Sequence, residues 1–246
     1  MNGPIIYAAG YSPAMGCCIQ KLKQVGLTIC SEPNQLISHL LLPVPSFAPD
    51  GTLVGGGDIH AVLRQLPKNI VIVGGNLDCE ALKDYHTIDL LQNSEYLALN
   101  AQITAHCAIK AALNQLPIIL DGCKALVIGW GRIGKCLSQL LRQMGADVTV
   151  SARKESDRSM IKALGYSAAD YASIDLTDFR LIFNTVPTML FPECPGGALK
   201  IDLASRLGMG GEDVIWARGL PGKDAPESSG QLIADTFLSL LRKEPL

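Results

Sequence analysis

The sequence lacks the features that mark nucleic-acid-binding and membrane proteins. Its 246 residues carry 21 basic and 23 acidic side chains, and a formal net charge of −2 provides no electrostatic footprint for nucleic acid or an anionic bilayer. No uninterrupted apolar run approaches the length of a membrane span. The N-terminal segment has neither the basic region nor the apolar core of a signal peptide. We therefore expect a cytoplasmic protein with no nucleic-acid or membrane partner.

The sequence also lacks the spacings that mark a metal site. None of its eight cysteines forms a Cys-x-x-Cys pair, and no spacing of cysteine and histidine resembles a zinc site. Most of the cysteines stand in apolar segments, which is typical of small buried side chains in a reducing compartment. We expect no bound metal.

The composition and the order of segments predict an α/β protein. Apolar residues make up 48% of the chain and charged residues 18%, which favours well-buried sheets. Short apolar strands alternate with helical segments, as in parallel sheets with helices on both faces. We predict two doubly wound parallel-sheet domains, a flavodoxin-like substrate domain over 1–98 and an NAD(P)-binding Rossmann domain over 99–229. A long helix over 93–116 connects them, a terminal helix over 230–246 packs at their interface, and the cofactor lies in the cleft between them.

A glycine-rich turn is the most specific motif of the chain. An apolar run leads into the pattern G-x-G-x-x-G, and a helix and a second apolar strand follow. In a dinucleotide-binding turn the glycines permit the tight turn, the approach of a pyrophosphate and the packing of helix on strand, while the helix N-terminus offers N–H groups to the phosphates. A structural turn without a ligand is the alternative. The predicted cofactor-binding residues here are Gly129, Trp130, Gly131, Arg132, Ile133 and Gly134.

The end of the second strand indicates which dinucleotide binds. An NAD-preferring site usually places Asp or Glu about 20 residues after the glycines, where the carboxylate binds the ribose 2′-hydroxyl. The chain instead has Ser151, Ala152, Arg153 and Lys154. A hydroxyl and two cations would bind a 2′-phosphate, which a carboxylate would repel. We therefore predict NADP rather than NAD, with a solvated Arg-Lys pair at a strand end as the alternative.

Three further motifs follow, and the whole set resembles one family. They are Phe-Asn-Thr-Val-Pro at 183–187, Ile-Asp-Leu-Ala-Ser-Arg at 201–206, and a segment over 219–230 that begins Gly-Leu-Pro-Gly-Lys. Together with the glycine turn and Ser-Ala-Arg at 151–153, they closely resemble the first of the two subunits of bacterial dipicolinate synthase from about Asn100 to the C-terminus. The resemblance implies a two-domain Rossmann oxidoreductase, related to 2-hydroxyacid dehydrogenases. With a smaller, flavoprotein-like second subunit, it would oxidise a dihydrodipicolinate from the lysine pathway to dipicolinate for sporulation.

The sequence departs from the family's pattern at three places. Ala-His-Cys at 105–107 stands where the connecting helix usually has an acidic residue, and 207–211 and 227–229 differ from the usual Pro-Gly-Gly and Pro-Lys-Thr-Ala-Gly-like segments. These departures keep two alternatives open. One is another NADP-dependent reductase of a small carboxylic imine or ketone, and the other is a non-catalytic nucleotide-binding subunit.

Residues at the carboxyl ends of two strands are further candidates for ligand binding, because ligands bind at this edge of the sheet in open α/β folds. A cofactor-facing strand ends in Asn184, Thr185, Val186 and Pro187, where the amide would bind a ribose or carboxamide. A plain strand-end turn is the alternative for these residues.

Arg206 is the first candidate for contact with a small dicarboxylate substrate. It follows a strand's carboxyl end, and a guanidinium binds a carboxylate bidentately. Ser205 adds a hydroxyl donor. Pairing of Arg206 with Asp202 or a surface acid is the alternative.

A dicarboxylate needs a second anion site. Lys223 and the N–H groups where the terminal helix starts are candidates, and Ser46, in the proline-rich loop after a strand of the first domain, is a further donor. Simple solvation of Lys223 is the alternative.

Proton removal from the substrate ring needs a base with a pKa near neutrality. His106 on the connecting helix is the candidate, and a packed core histidine is the alternative. No histidine follows Arg206, which argues against simple hydroxyacid oxidation. The apolar connecting and terminal helices also favour a homo-oligomer.

Overall fold

The computed structural model describes residues 3–194 and 196–243. The predicted fold class is confirmed, because the chain contains two parallel sheets flanked by helices. It divides into two compact units, the first formed by 1–100 with 221–246 and the second by 101–220. No helix in the described parts of the chain combines the length and the apolar character needed to cross a bilayer.

The first unit is built on a five-stranded parallel sheet with the order β2-β1-β3-β4-β5. Two short helices and the start of a long third helix belong to it. The strands are β1 (Ile5–Ala8), β2 (Thr28–Cys30), β3 (His39–Leu41), β4 (Val71–Gly74) and β5 (His86–Asp89), and the helices are α1 (Pro13–Gln24), α2 (Ile59–Leu63) and α3 (Ser94–Leu113). The order is that of the flavodoxin-like doubly wound sheet. The alternation of segments predicted a parallel sheet with helices on both faces.

The second unit is built on a six-stranded parallel sheet with the order β11-β10-β9-β6-β7-β8. Its strands are β6 (Lys124–Ile128), β7 (Asp147–Ser151), β8 (Ser167–Ala169), β9 (Leu181–Asn184), β10 (Leu199–Asp202) and β11 (Val214–Trp216), and its helices are α4 (Arg132–Gln143) and α5 (Glu155–Ala163). The short helix α6 (Leu220–Asp224) follows, and its residues from Pro221 onward belong to the first unit. Counted from β6, this is the strand order of dinucleotide-binding domains. All the carboxyl ends therefore lie at one edge of the sheet.

The terminal helix α7 (Pro226–Lys243) returns to the first unit and packs against α1. A Cβ atom on Gly230 would lie 2.5 Å from the Ala14 carbonyl oxygen and 2.6 Å from Cys17 Cβ, so only glycine allows the two helices to cross this closely. The apolar pattern of the sequence begins only at Gln231, although the helix begins at Pro226. The helix start has two serines and this glycine, which hide it from a periodicity argument.

Candidate functional site

The glycine turn joins β6 to α4 through two glycines that the packing requires. Gly129 has φ +105°, and a Cβ there would collide with the Thr185 hydroxyl and lie 2.8 Å from a Val186 methyl group. A Cβ on Gly134 would collide with the Gly129 carbonyl oxygen. The turn therefore folds tightly on α4 and on the residues that follow β9, as the first and third positions of a dinucleotide-binding turn must.

Gly131 stands at the N-terminus of α4 and has a different role. A Cβ on Gly131 would meet nothing within 4 Å, and its φ of −78° is open to any residue. Neither the packing nor the backbone conformation requires glycine at this position. No side chain caps the 12-residue helix at Gly131, and its first turn has no acidic residue. A pyrophosphate needs helix N–H groups that no side chain caps and no acid opposes, and Gly131 leaves room beside them, so the turn fits a dinucleotide.

The remaining predicted residues of the turn lie on its outer side. Trp130 is half-buried, and its ring packs edge-on against Tyr166. Arg132 is exposed and Ile133 is half-buried in the first turn of α4. The Trp130 ring therefore contacts Tyr166, and the Arg132 side chain lies in solvent.

The end of β7 lies directly beside the turn. The Gly129 N–H donates to the Ser151 carbonyl oxygen at 2.9 Å. Ser151 and Ala152 are buried, and the Ser151 hydroxyl has no hydrogen-bond partner among the described residues. A buried hydroxyl of this kind normally has a partner, so its position at the predicted ribose site agrees with a ligand there.

Arg158 binds the backbone of the segment that follows β7. The two cations predicted to bind the cofactor, Arg153 and Lys154, lie in the same segment. The Arg158 guanidinium Nη1 donates to the Ala152 and Arg153 carbonyl oxygens at 2.8 and 2.7 Å, and it pairs with Asp170 at 2.7 Å. The Arg153 and Lys154 side chains are exposed. The sequence interpretation missed Arg158, although an arginine four residues beyond Lys154 on the first turns of a helix was a signal for it.

Tyr171 and two acids complete the surroundings of this strand end. Burial raises the pKa of the Tyr171 phenol, and the backbone N–H and the charge of Arg153 partly offset that rise. Glu155 and Asp157 lie in the first turn of α5. Their charges oppose an anion at the same helix end, so Arg153 and Lys154 must carry any binding of a 2′-phosphate.

The residues that end β9 form bonds within the protein. Asn184 is fully buried, and its amide donates to Asp202 at 2.9 Å and to the Val186 carbonyl oxygen at 3.0 Å, while the Val186 N–H donates to the Asn184 side chain at 3.0 Å. The Thr185 hydroxyl donates to the Ile128 carbonyl oxygen at 2.9 Å, and Pro187 is exposed. Both N–H bonds of the Asn184 amide are thus used to shape the turn beside Gly129.

Asp202, at the end of β10, organises the segment that departs from the family's pattern. Its carboxylate accepts hydrogen bonds from the N–H groups of Ala204 (2.9 Å), Gly208 (2.8 Å) and Met209 (3.2 Å), besides the bond from Asn184. The chain after β10 is therefore wrapped around one buried carboxylate. This fixes the base of the loop that carries Arg206.

Arg206 and Ser205 are exposed in that loop. In the described parts of the chain, no ion pair joins Arg206 to Asp202 or to another carboxylate. The alternative that Arg206 pairs with Asp202 is therefore not what the structure shows. The guanidinium is available to an external anion.

Arg218 is a second arginine at this edge that the sequence interpretation missed. It follows β11 as Arg206 follows β10, and β10 and β11 are hydrogen-bonded neighbours with Asp202 opposite Trp216. The Arg218 guanidinium carbon lies 5.1 Å from the centre of the Trp216 ring, and the Trp216 indole N–H donates to the Ala204 carbonyl oxygen at 3.0 Å. The indole thus contacts both the loop after β10, through Ala204, and the loop after β11, through Arg218. An arginine just past a strand was the signal that was overlooked.

The other predicted site residues are His106, Lys223 and Ser46. His106 is exposed on α3, within the second unit. Lys223 is exposed on α6 and Ser46 is buried, both in the first unit. The Ser46 hydroxyl donates to the Pro43 carbonyl oxygen at 2.8 Å and accepts from the Gly75 N–H at 3.0 Å, so it ties its loop to the end of β4. Nowhere in residues 3–194 and 196–243 do three or more His, Cys, Asp or Glu side chains gather as a metal ion would need.

The strand order of the second unit and its open glycine turn define a Rossmann domain of the kind found in dehydrogenases. No family model matches the chain. It is 25% identical to the first subunit of dipicolinate synthase of Bacillus subtilis over 260 aligned positions, which cover 94% of this chain and 84% of that protein. The predicted resemblance is confirmed by this similarity.

Solved structures show the same fold. The crystal structure of the first subunit of dipicolinate synthase from Bacillus halodurans superposes with a TM-score of 0.86 at 22% identity, and the comparison covers 99% of each chain. A transhydrogenase from Sinorhizobium meliloti superposes with a TM-score of 0.68 at 13% identity, covering 96% of this chain and 93% of that one. At these identities the comparisons show the shared fold.

Proposed function

We propose that the chain is an NADP-dependent oxidoreductase that converts dihydrodipicolinate to dipicolinate as the first subunit of a dipicolinate synthase. One observation carries the proposal. A single sheet edge presents an open dinucleotide turn after β6 and two exposed arginines after β10 and β11. Strands in a sheet lie about 4.8 Å apart, so β10 and β11 end roughly 10 and 14 Å from the turn. This spacing suits a dinucleotide and a small dianion side by side.

The two arginines account for the charge of the substrate. Arg206 and Arg218 each offer a guanidinium fork to one carboxylate of a ring that carries two. Ser205 adds a hydroxyl donor beside Arg206. Asp202 and Trp216 hold the loops, so the arginines reach the substrate from a fixed backbone. Lys223 stays a prediction as the alternative contact for the second carboxylate.

The dinucleotide would rest on the turn and on the end of β7. When bound, NADP+ supplies the acceptor for the hydride that leaves the dihydro ring, and aromatisation of the ring favours that direction. The N–H groups after Gly131 would hold the pyrophosphate, and the Ser151 hydroxyl, Arg153 and Lys154 would hold the 2′-phosphate. The reaction also releases a ring proton. His106, exposed on α3, stays the predicted base.

The test supplies dihydrodipicolinate and NADP+ to the purified chain, alone and with a flavoprotein-like second subunit, and follows NADPH and the pyridine product. We expect product formation, with kcat/KM falling by about 100-fold in Arg206→Ala and Arg218→Ala, because each loses a charge-assisted contact. The control is Arg180→Ala, which lies at the opposite, amino end of β9. Retained NADP+ binding without product, under both conditions, would overturn the proposal.

A second candidate is an NADP-dependent reductase of another small carboxylic imine or ketone. Its support is the segment 207–211, which departs from the family's pattern and which Asp202 holds beside Arg206. A panel of carboxylic imines and ketones with NADPH separates the two functions. Turnover of any of these substrates by the chain alone would exclude the alternative of a non-catalytic protein, and a size measurement in solution tests the predicted homo-oligomer.

A further inference from the structure

A groove runs along the outer surface of the second unit, between α4 and α5. One wall is a stripe of α4 side chains spaced at i, i+4 and i+7, and the other is the exposed pair Met160 and Leu164 on and just after α5. We call this the Trp130 groove, and it encloses about 330 Å³. It is lined by Trp130, Lys135, Gln139, Arg142, Met160, Leu164 and Tyr166.

The aromatic rings and the cations of the groove are paired. The Trp130 and Tyr166 rings meet edge-on with centroids 6.0 Å apart, and Lys135 Nζ lies 5.6 Å from the centre of the Trp130 ring. The Arg142 guanidinium lies 4.1 Å from the centre of the Tyr166 ring, and its Nη1 donates to the Leu164 carbonyl oxygen at 2.7 Å. Both cations are within the range of a cation–π contact, and Arg142 is held in place.

The charged side chains of this groove are all basic. Its lining contains Lys135 and Arg142 but no carboxylate. Two aromatic rings and two aliphatic side chains supply the rest of its surface apart from Gln139. A small-molecule site is typically a concave apolar surface of about 300–1,000 Å³ with a few placed polar groups, and this groove meets that description.

The groove is distinct from the dinucleotide turn. The face of α4 that includes Leu137 and Leu141 is buried against the sheet, whereas Lys135 and Arg142 lie on the exposed face. The seven residue steps from Lys135 to Arg142 span about 10 Å along the helix, and they lead away from the sheet edge where the turn lies. Only Trp130 belongs to both, because its backbone is in the turn and its ring is in the groove.

We propose that the Trp130 groove binds a small aromatic carboxylate. The ring of the ligand lies against the Trp130 ring, Met160 and Leu164, where it buries apolar surface. Its carboxylate meets Lys135 and the guanidinium donors of Arg142 that Leu164 does not occupy. The aromatic surfaces select a planar ring, and the two cations select a single negative group.

The test uses the full chain with Trp216→Phe, which leaves Trp130 as the sole tryptophan. Benzoate is titrated against Trp130 fluorescence, with calorimetry on the unmodified chain as a second measurement. Cyclohexanecarboxylate keeps the charge and removes the aromatic ring, whereas benzamide keeps the ring and removes the charge. We expect benzoate to bind about tenfold more tightly than either.

Variants locate the site. Lys135→Met weakens benzoate binding by about tenfold, whereas Lys124→Met, at the amino end of β6, leaves it unchanged. Arg206→Ala also leaves it unchanged, which separates the groove from the proposed substrate site. Absence of benzoate binding, equal binding of benzoate and cyclohexanecarboxylate, or insensitivity to Lys135→Met would each overturn the proposal.

Discussion

Asn184 and Asp202 end neighbouring strands and share a buried hydrogen bond, in which the Asn184 amide donates to the Asp202 carboxylate at 2.9 Å. The same carboxylate accepts three backbone N–H groups from the chain after β10. One buried anion thus connects the end of β9, beside the glycine turn, to the loop of Arg206. The two halves of the proposed site are coupled through this side chain.

Replacement of Asp202 by asparagine is expected to destabilise the second unit by about 2–3 kcal/mol. The new amide keeps the shape but presents N–H groups to donors at Gly208 or Met209, so a buried donor loses its partner. Denaturant unfolding of the full chain measures the loss. Asp178→Asn, an exposed aspartate of the same unit, is the matched control and should change stability by less than about 0.5 kcal/mol. Unfolding of Asp202→Asn at the unmodified midpoint would contradict the prediction.

Gly131 and Gly134 predict opposite phenotypes for the same substitution. Gly131→Ala should fold with unchanged stability but bind NADP+ about tenfold or more weakly, because the added methyl takes up open space at the N-terminus of α4, where the pyrophosphate would rest. Gly134→Ala should lose about 1–3 kcal/mol of stability, because its Cβ collides with the Gly129 carbonyl oxygen. Thermal unfolding and cofactor titration of both variants give the comparison. If a folded Gly131→Ala chain still bound NADP+ tightly, the glycine turn would be ruled out as the dinucleotide-binding site.

Arg153→Asp is expected to reverse the choice of dinucleotide. Its carboxylate would repel a 2′-phosphate and accept the 2′-hydroxyl of NAD+, so the affinity for NADP+ falls by about tenfold or more while that for NAD+ is retained. The matched control is Lys162→Asp, an exposed cation near the other end of α5. The measurement is the Kd of each dinucleotide for both variants. An unchanged preference for NADP+ in Arg153→Asp would show that the Arg-Lys pair is a solvated strand end.

The order of the elements and the glycine turn could be predicted from the sequence because both depend on local patterns. Glycines at fixed spacing between an apolar strand and a helix are enough to predict a dinucleotide-binding turn. The strand β8, Ser-Ala-Ala at 167–169, was missed because three small or polar residues at a sheet edge carry no hydrophobic pattern. The pattern of segments likewise gave no sign of α6, which has only five residues.

The candidate site was less predictable, because side-chain partners depend on strand order. Asn184 and Asp202 are 18 residues apart and meet only because β9 and β10 are neighbours. Ser46 was predicted as a substrate donor, yet both of its bonds are made to the protein. Arg218 follows the edge strand β11, and its position beside the Arg206 loop depends on the pairing of Trp216 with Ala204. None of these relationships has a signal within one segment.

Lys200 and Asp213 form an unequal ion pair, which predicts unequal effects of their removal. The Lys200 side chain is fully buried and donates to both Asp213 carboxylate oxygens at 2.8 and 2.7 Å, whereas Asp213 is half exposed. Asp213→Asn leaves a buried ammonium without a counter-charge, but Lys200→Met leaves a carboxylate that water can solvate. We therefore expect Asp213→Asn to lower the unfolding midpoint more than Lys200→Met does. Equal midpoints for the two variants would contradict this asymmetry.

The same pair predicts how stability depends on pH. The hydrogen bond and the charge of Lys200 lower the pKa of Asp213 below its ordinary value of 3.8. A carboxyl group whose pKa is lower in the folded state contributes stability that is fully present above its unfolded pKa. That contribution is lost as the pH falls through the folded pKa. Between neutrality and pH 5 the pair's contribution to stability should stay constant, and it should decline below about pH 4.

Midpoints of urea unfolding over this pH range, for the unmodified chain and for Lys200→Met, measure the difference in stability. Because the variant retains a carboxyl with an ordinary pKa, the gap between the two curves should narrow only in the acid range, and a gap that stays constant down to the acid limit would contradict the assignment.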